Sequence, residues 1–332
     1  MSPFRPAWWC RGRHAQTLCA SVFRPTPSVP LRRERWELPD GDFLDVDALT
    51  AAAGAPLLLL LHGLEGCSRS KYALGLLRAA RREGWQGLSL NFRSCSGVPN
   101  RLRRAYHAGD TADLAWVMQR VIAQQPQVAL VAVGISLGGN VLLKYLGEQG
   151  EALPAQVRAA AAISTPFDLA ASVRALEQGF SRVYMRALVR SLRRKAAAKL
   201  RLFPDLVNRE ALAAARTLTA FDNAFTAPLH GFADADAYWA ASSSSAFLAR
   251  VRRPTLLINA QDDPFLPAEA LPTSSVSENH CLTADFPAGG GHVGFLAGTW
   301  PGRPVHWAEA RTIAFLKAQL TNGQKKVNGR GN

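Results

Sequence analysis

Short continuous apolar runs alternate along this chain with longer stretches of helical spacing. Residues 56–61, Pro followed by five Leu, carry no polar side chain, which is the pattern of a strand buried on both faces. Residues 71–83 place Tyr72, Leu76, Ala79 and Ala80 on one helical face and stop at Gly84. A strand-like run over 87–92 comes next, then a helix over 110–124 with Leu114, Val117, Met118 and Val121 on one face. A strand over 127–133, a helix over 137–150 and a strand over 157–164 follow. This alternation predicts an α/β fold, a mostly parallel sheet flanked by helices. Ahead of it, residues 33–38 and 43–49 read as two strands joined at Pro39-Asp-Gly-Asp42, because Asp-Gly is a hairpin signal.

The alternation breaks after residue 165. Residues 166–246 hold helical segments and no convincing strand; strands resume at 254–260 and 282–286, and a last helix covers 306–320. The expected organisation is an α/β core from 1–165 and 247–332, with 166–246 inserted as a helical cap or lid. The polar, Gly-rich tail 321–332 is expected to fray.

Composition narrows the class. Apolar residues make up 48% and charged residues 19%, a globular balance that excludes a disordered or coiled-coil chain. No apolar run approaches the ~20 residues of a spanning helix, and the first ten residues hold no continuous apolar segment of a secretory leader. Cys10, Cys19, Cys67, Cys95 and Cys281 show no C-x-x-C spacing, so neither a disulfide framework nor a zinc ribbon is indicated. A soluble or at most peripheral protein with reduced thiols, in the cytoplasm, is the expectation. No spacing suggests a metal, and no cofactor is expected.

Chemistry concentrates at four places. Gly134-Ile-Ser136-Leu-Gly138 matches G-x-S-x-G between a strand and a helix, the setting of a nucleophile elbow. A serine hydroxyl is a weak nucleophile and needs a base oriented by a third group. In hydrolases built on such an elbow, the acid and then the His follow the Ser along the chain. Asp263 and its neighbour Asp262 lie just past the strand ending at 260, where the orienting acid belongs. Asp263 is favoured, with Asp262 as a turn or capping residue; Asp168 is a third candidate, better suited to a helix N-terminus. His292 sits in Gly289-Gly-Gly-His-Val-Gly294, a flexible loop late in the chain and the expected base. His14, His107, His230, His280 and His306 lack such a context. His62-Gly-Leu-Glu-Gly66 follows the first buried strand and is the kind of loop that supplies an oxyanion-hole amide. Leu64 is assigned one amide and Leu137 the other.

These four signals fall in the order of an α/β-hydrolase. The chain more narrowly resembles the YheT-like family. The stretches that carry the resemblance are Gly12-Arg-His-Ala-Gln-Thr-Leu18, Leu38-Pro-Asp-Gly-Asp-Phe-Leu-Asp45, and His62–Gly66 with Ser68, Ser70 and Tyr72. Asn91-Phe-Arg-Ser-Cys-Ser-Gly97, Tyr106-His-Ala-Gly109, 134–140 and Asn259-Ala-Gln-Asp-Asp-Pro-Phe265 complete them. The resemblance spans residues 10–320 and implies a carboxylic-ester hydrolase acting on small-molecule or lipid esters, with Ser136, Asp263 and His292 as its triad. Ser94 departs from the family pattern, which has Gly there. The animal members carry a membrane-spanning N-terminal segment, and none is expected in this chain.

Net charge is +14, and more than half of it falls between Arg174 and Arg201. Read as a helix, this stretch puts Met185, Leu188, Val189, Leu192, Ala196 and Leu200 on one face and Arg186, Arg190, Arg193, Arg194 and Arg201 on the other. The favoured reading is a cap helix with a solvated Arg face. The other is a peripheral contact with an anionic membrane. In its strongest form, the protein is a membrane-binding module with weak or no catalysis. Nucleic acid is not an expected partner, since no binding motif accompanies the charge.

Overall fold

The computed structural model describes residues 2–328. Eight strands form one sheet: β1 (Arg32–Glu37), β2 (Phe43–Leu49), β3 (Leu57–Leu61), β4 (Gln86–Leu90), β5 (Leu130–Ile135), β6 (Val157–Ile163), β7 (Thr255–Ile258) and β8 (Leu282–Asp285). Their spatial order is β1-β2-β4-β3-β5-β6-β7-β8. β2 runs antiparallel to both β1 and β4, and every pair from β4 to β8 is parallel. The leucines of β3 show why the run had to be continuous. Leu57, Leu59 and Leu61 pack into one core, Leu58 and Leu60 into the core on the opposite face. A strand covered on both sides has no solvent face on which to alternate.

The helices are α1 (Arg13–Leu18), α2 (Lys71–Arg82), α3 (Ala112–Gln124) and α4 (Leu137–Gln149). Between β6 and β7 come α5 (Leu169–Leu176), α6 (Arg182–Leu202), α7 (Arg209–Ala214), α8 (Leu218–Phe221), α9 (Ala227–Leu229) and α10 (Ala235–Ser242); α11 (Thr273–Glu278) and α12 (Trp307–Asn328) follow. No strand interrupts α5–α10 among the described residues. The alternation of the first half is therefore real, and the sheet is the mostly parallel one its pattern predicts.

Three features differ from the sequence expectation. The last helix does not stop at 320 but runs to Asn328. No proline follows residue 320 to end the helix there. The remaining tail residues, 329–332, lie outside the described residues. A second sheet of two short strands, β9 (Leu296–Ala297) and β10 (Val305–His306), is too short to leave a period-two trace. α1 was not anticipated either, being too short to show a helical period.

The loop after β4 explains the Ser94 departure. Ser94 has φ 64°, the left-handed region that favours glycine. Its hydroxyl bonds Asn100 Oδ1 and accepts the Asn100 N–H at 3.0 Å, which offsets the strain. Next to it Arg93, almost wholly buried, pairs with Asp42 at 2.9 Å and Asp113 at 2.7 Å. The loop is thereby rooted in the sheet edge and in α3.

Candidate active site

The ends of β3, β5 and β7 and the loop beyond β8 converge at the C-terminal edge of the parallel strands. Ser136 is the hinge between β5 and α4. Its backbone sits at φ 52°, ψ −122°, a strained conformation for a side chain to hold. Close packing demands the flanking glycines. A Cβ on Gly134 would lie 2.3 Å from the Gly138 carbonyl oxygen, and one on Gly138 2.5 Å from that of His62.

His292 Nε2 lies 3.0 Å from Ser136 Oγ. On the other side of the ring, Nδ1 is 2.9 Å and 3.1 Å from the two carboxylate oxygens of Asp263. Asp263 is buried and its Oδ1 also accepts the Phe265 N–H at 2.8 Å. The Phe265 ring stacks on the imidazole with centroids 3.9 Å apart, limiting its rotation. Asp262 points elsewhere and accepts the Gly291 N–H at 2.9 Å, holding the loop rather than the imidazole. Asp168 caps α5 by accepting the Ala171 N–H at 2.9 Å. His107 and His230 face one another, and His14 packs on Phe180. None of the three bonds Ser136 or Asp263 among the described residues.

Sequence reasoning assigned no role to α1, although it cradles the His292 loop. The His292 N–H donates to Thr17 Oγ1 at 2.9 Å, and Thr17 Oγ1 donates to the Arg13 carbonyl at 2.7 Å. Gly291 passes so close that a Cβ there would lie 2.4 Å from that carbonyl, and its φ is 59°. Ser164, at the end of β6, accepts the Val293 N–H at 2.9 Å.

The loop after β3 is pinned on either side of Leu64. Gly63 N–H donates to Tyr72 Oη at 2.9 Å, and Glu65 N–H donates to Tyr106 Oη at 3.0 Å. The Leu64 N–H between them, and the Leu137 N–H at the start of α4, have no acceptor among the described residues. Two unpaired amides beside Ser136 are suited to hold an oxyanion. We expect Tyr72→Phe, which strands the Gly63 N–H, to cost about 1–2 kcal/mol of stability and roughly tenfold in kcat. Thermal unfolding and steady-state kinetics would check both numbers.

Residues 56–298 match the family with the alpha/beta hydrolase fold. The chain belongs to that family. This α/β-hydrolase is 40% identical to the Escherichia coli K12 protein YheT, an esterase by name, over 92% of this chain and 91% of that protein. It is 29% identical to mouse phospholipase ABHD3 over 98% of this chain and 80% of that one. Among solved structures, the Pyrococcus furiosus esterase Pf2001 aligns with a TM-score of 0.57 at 15% identity, over 87% of this chain and 91% of that one. That likeness is one of fold.

A cavity of about 280 Å³ opens on Ser136 of the hydrolase. Leu169, Val173, Leu188, Leu192 and Phe225, all from the helical segment, give it apolar walls. An alkyl chain fits such a lining. No helix of the hydrolase, among the described residues, is long and apolar enough to cross a membrane.

Beneath the cavity His62 is wholly buried. Its Nδ1 lies 2.8 Å from the Gly63 carbonyl oxygen and its Nε2 accepts the Phe92 N–H at 3.1 Å, so the ring is neutral with its proton on Nδ1. Burial pushes its pKa down from 6.5 to about 4. A base with its folded-state pKa below the unfolded value stabilises the fold above that unfolded value. The contribution is lost as pH falls toward the folded one. His62 alone is expected to remove about 3 kcal/mol as pH falls from 6.5 to about 4. Urea unfolding across that range would show a decline; a flat profile would contradict it.

Proposed function

We propose that this hydrolase cleaves carboxylic esters, short- to medium-chain acyl esters or lipids, through an acyl-enzyme on Ser136. His292 Nε2 takes the Ser136 proton as Oγ attacks the ester carbonyl. The Leu64 and Leu137 amides hold the oxyanion. His292 returns the proton to the leaving alcohol, then activates the water that releases the acid. Asp263 keeps the imidazole proton on Nδ1. The observation that carries this reading is the unbroken Ser136–His292–Asp263 chain, at 3.0 Å and 2.9 Å, facing an apolar cavity. The names of the relatives, esterase and phospholipase, are in keeping with ester hydrolysis. In this reading residues 166–246 act as a cap that supplies the acyl pocket, and a reducing compartment such as the cytoplasm suits the five free thiols.

The test is fluorophosphonate labelling read by intact mass. One adduct on the wild-type protein and none on Ser136→Ala is the expected result. A folded wild-type protein that stays unlabelled, with and without anionic vesicles, would overturn the reading in favour of a binding module.

A peripheral membrane contact is the second part of the proposal. Arg190, Arg193, Arg194, Arg201 and Arg209 line one cleft on the outer side of α6 and α7, and none has a carboxylate partner among the described residues. Anionic headgroups would supply the missing charge. Co-sedimentation with anionic vesicles should fall at least tenfold when Arg190, Arg193 and Arg194 are changed together to Ala, at about 1 kcal/mol per basic residue. Equal binding by the variant would remove this part.

A further inference from the structure

The oxyanion loop is tied to the helical segment through one carboxylate. Glu65, next to Leu64, has φ 58°, the left-handed region that favours glycine. Its carboxylate is only 6% exposed and has three partners. Tyr106 Oη donates to Oε1 at 2.7 Å, Lys195 Nζ lies 2.9 Å from the same oxygen, and the Ser191 hydroxyl donates to Oε2. Ser191 and Lys195 are four residues apart on α6, one turn of the helix. Lys195 also reaches Cys95 Sγ at 3.0 Å and lies 5.5 Å from the Tyr106 ring centre.

From these contacts we infer that Glu65 is a positioning residue that makes the placement of the Leu64 amide conditional on α6 being docked. The inference rests on the ester-hydrolase reading for its kinetic consequence, though not for its structural one. If α6 lifts, Glu65 loses the one cation and one of the two hydroxyl donors it has among the described residues, and a carboxylate in that setting cannot remain buried without them. The loop must then move with the helix. Gly63 stays fastened to Tyr72, whose anchor is α2 on the core side, so the displacement is concentrated at Leu64 and Glu65. A docked α6 thus both closes the cavity, through Leu188 and Leu192, and holds the oxyanion amide in place. An undocked one opens the cavity and disperses the amide. Hydrolysis is confined to the closed state by the same helix that closes it.

Hydrogen exchange tests the structural half without any turnover. In Lys195→Met, amides of residues 62–67 are expected to exchange at least tenfold faster than in the wild-type protein, while those of β5 stay unchanged. The kinetic half uses a short soluble ester. Lys195→Met and Glu65→Gln should each lower kcat at least tenfold with KM within about threefold. The double variant should lose little more than either single one, since both break one clasp. Lys195→Arg should restore most of kcat. Should Glu65→Gln fail to fold, Ser191→Ala removes one hydrogen bond only and should still quicken exchange in 62–67. Unchanged exchange in both Lys195→Met and Ser191→Ala would overturn the inference, as would a loss carried wholly by KM. Wild-type protein that does not label at Ser136 would instead overturn the hydrolytic reading and leave the exchange result standing.

Discussion

Replacing Ser136 by Ala is expected to lower kcat by about 10⁵-fold or more, the largest effect of any single substitution in this protein. The variant keeps the cavity and the two unpaired amides, so ester should still bind with KM changed by less than about tenfold. What disappears is the atom that, in the proposed mechanism, forms the new bond. The strained backbone at φ 52° supports the variant as an isolated loss, because Ala occupies the same space and the hinge is held by the glycines around it. Steady-state hydrolysis of a chromogenic ester would measure it. A variant retaining more than about a hundredth of wild-type kcat would remove Ser136 as the nucleophile, since only groups sharing the bond-making step produce losses of this size.

Asp263→Asn carries the second largest expectation, a loss of about 10⁴-fold in kcat near neutral pH with the fold intact. Both Asp263 oxygens face Nδ1 of His292, so the carboxylate holds the proton there and leaves Nε2 free to accept from Ser136. Asn would turn its NH₂ toward Nδ1, since its carbonyl is drawn to the Phe265 N–H. The imidazole proton would then move to Nε2, the wrong nitrogen for a base. Asp262→Asn provides the contrast. Its target is the Gly291 N–H, which an amide oxygen can accept equally well, so less than a tenfold loss is expected. Measuring both variants with circular dichroism alongside decides the assignment: if Asp262→Asn were the crippled one, the orienting acid would have to be reassigned.

Legibility of this molecule from its sequence follows the range of the interactions. The longer elements and their order were readable because each rests on a local pattern. Five consecutive leucines demand burial on both faces, and Asp-Gly between two strand-like stretches demands a hairpin. A Ser between two glycines at a strand end demands a tight elbow. The order Ser136, Asp263, His292 was readable for the same reason, each lying in a recognisable strand-end loop. Ser94 was readable only as an oddity. Its left-handed backbone, and the Asn100 contacts that hold it, belong to the folded chain.

The tertiary structure alone showed where neighbouring side chains point and joined distant segments. The sequence favoured Asp263 over Asp262 by its place in the loop after the strand, but not the direction of either side chain. Their side chains diverge because the turn after β7 aims one at a backbone amide and the other at the imidazole. Thr17 supports His292 across 275 residues, and Glu65 meets Ser191 across 126. Such contacts leave no periodic trace, since periodicity records only which face of an element is buried. What the sequence determined by itself is where the longer elements form and which candidate residues lie near their ends. Which of those ends face one another depends on the packing of the sheet and the helices over it, because a side chain's partner is chosen by proximity in space and not by position along the chain.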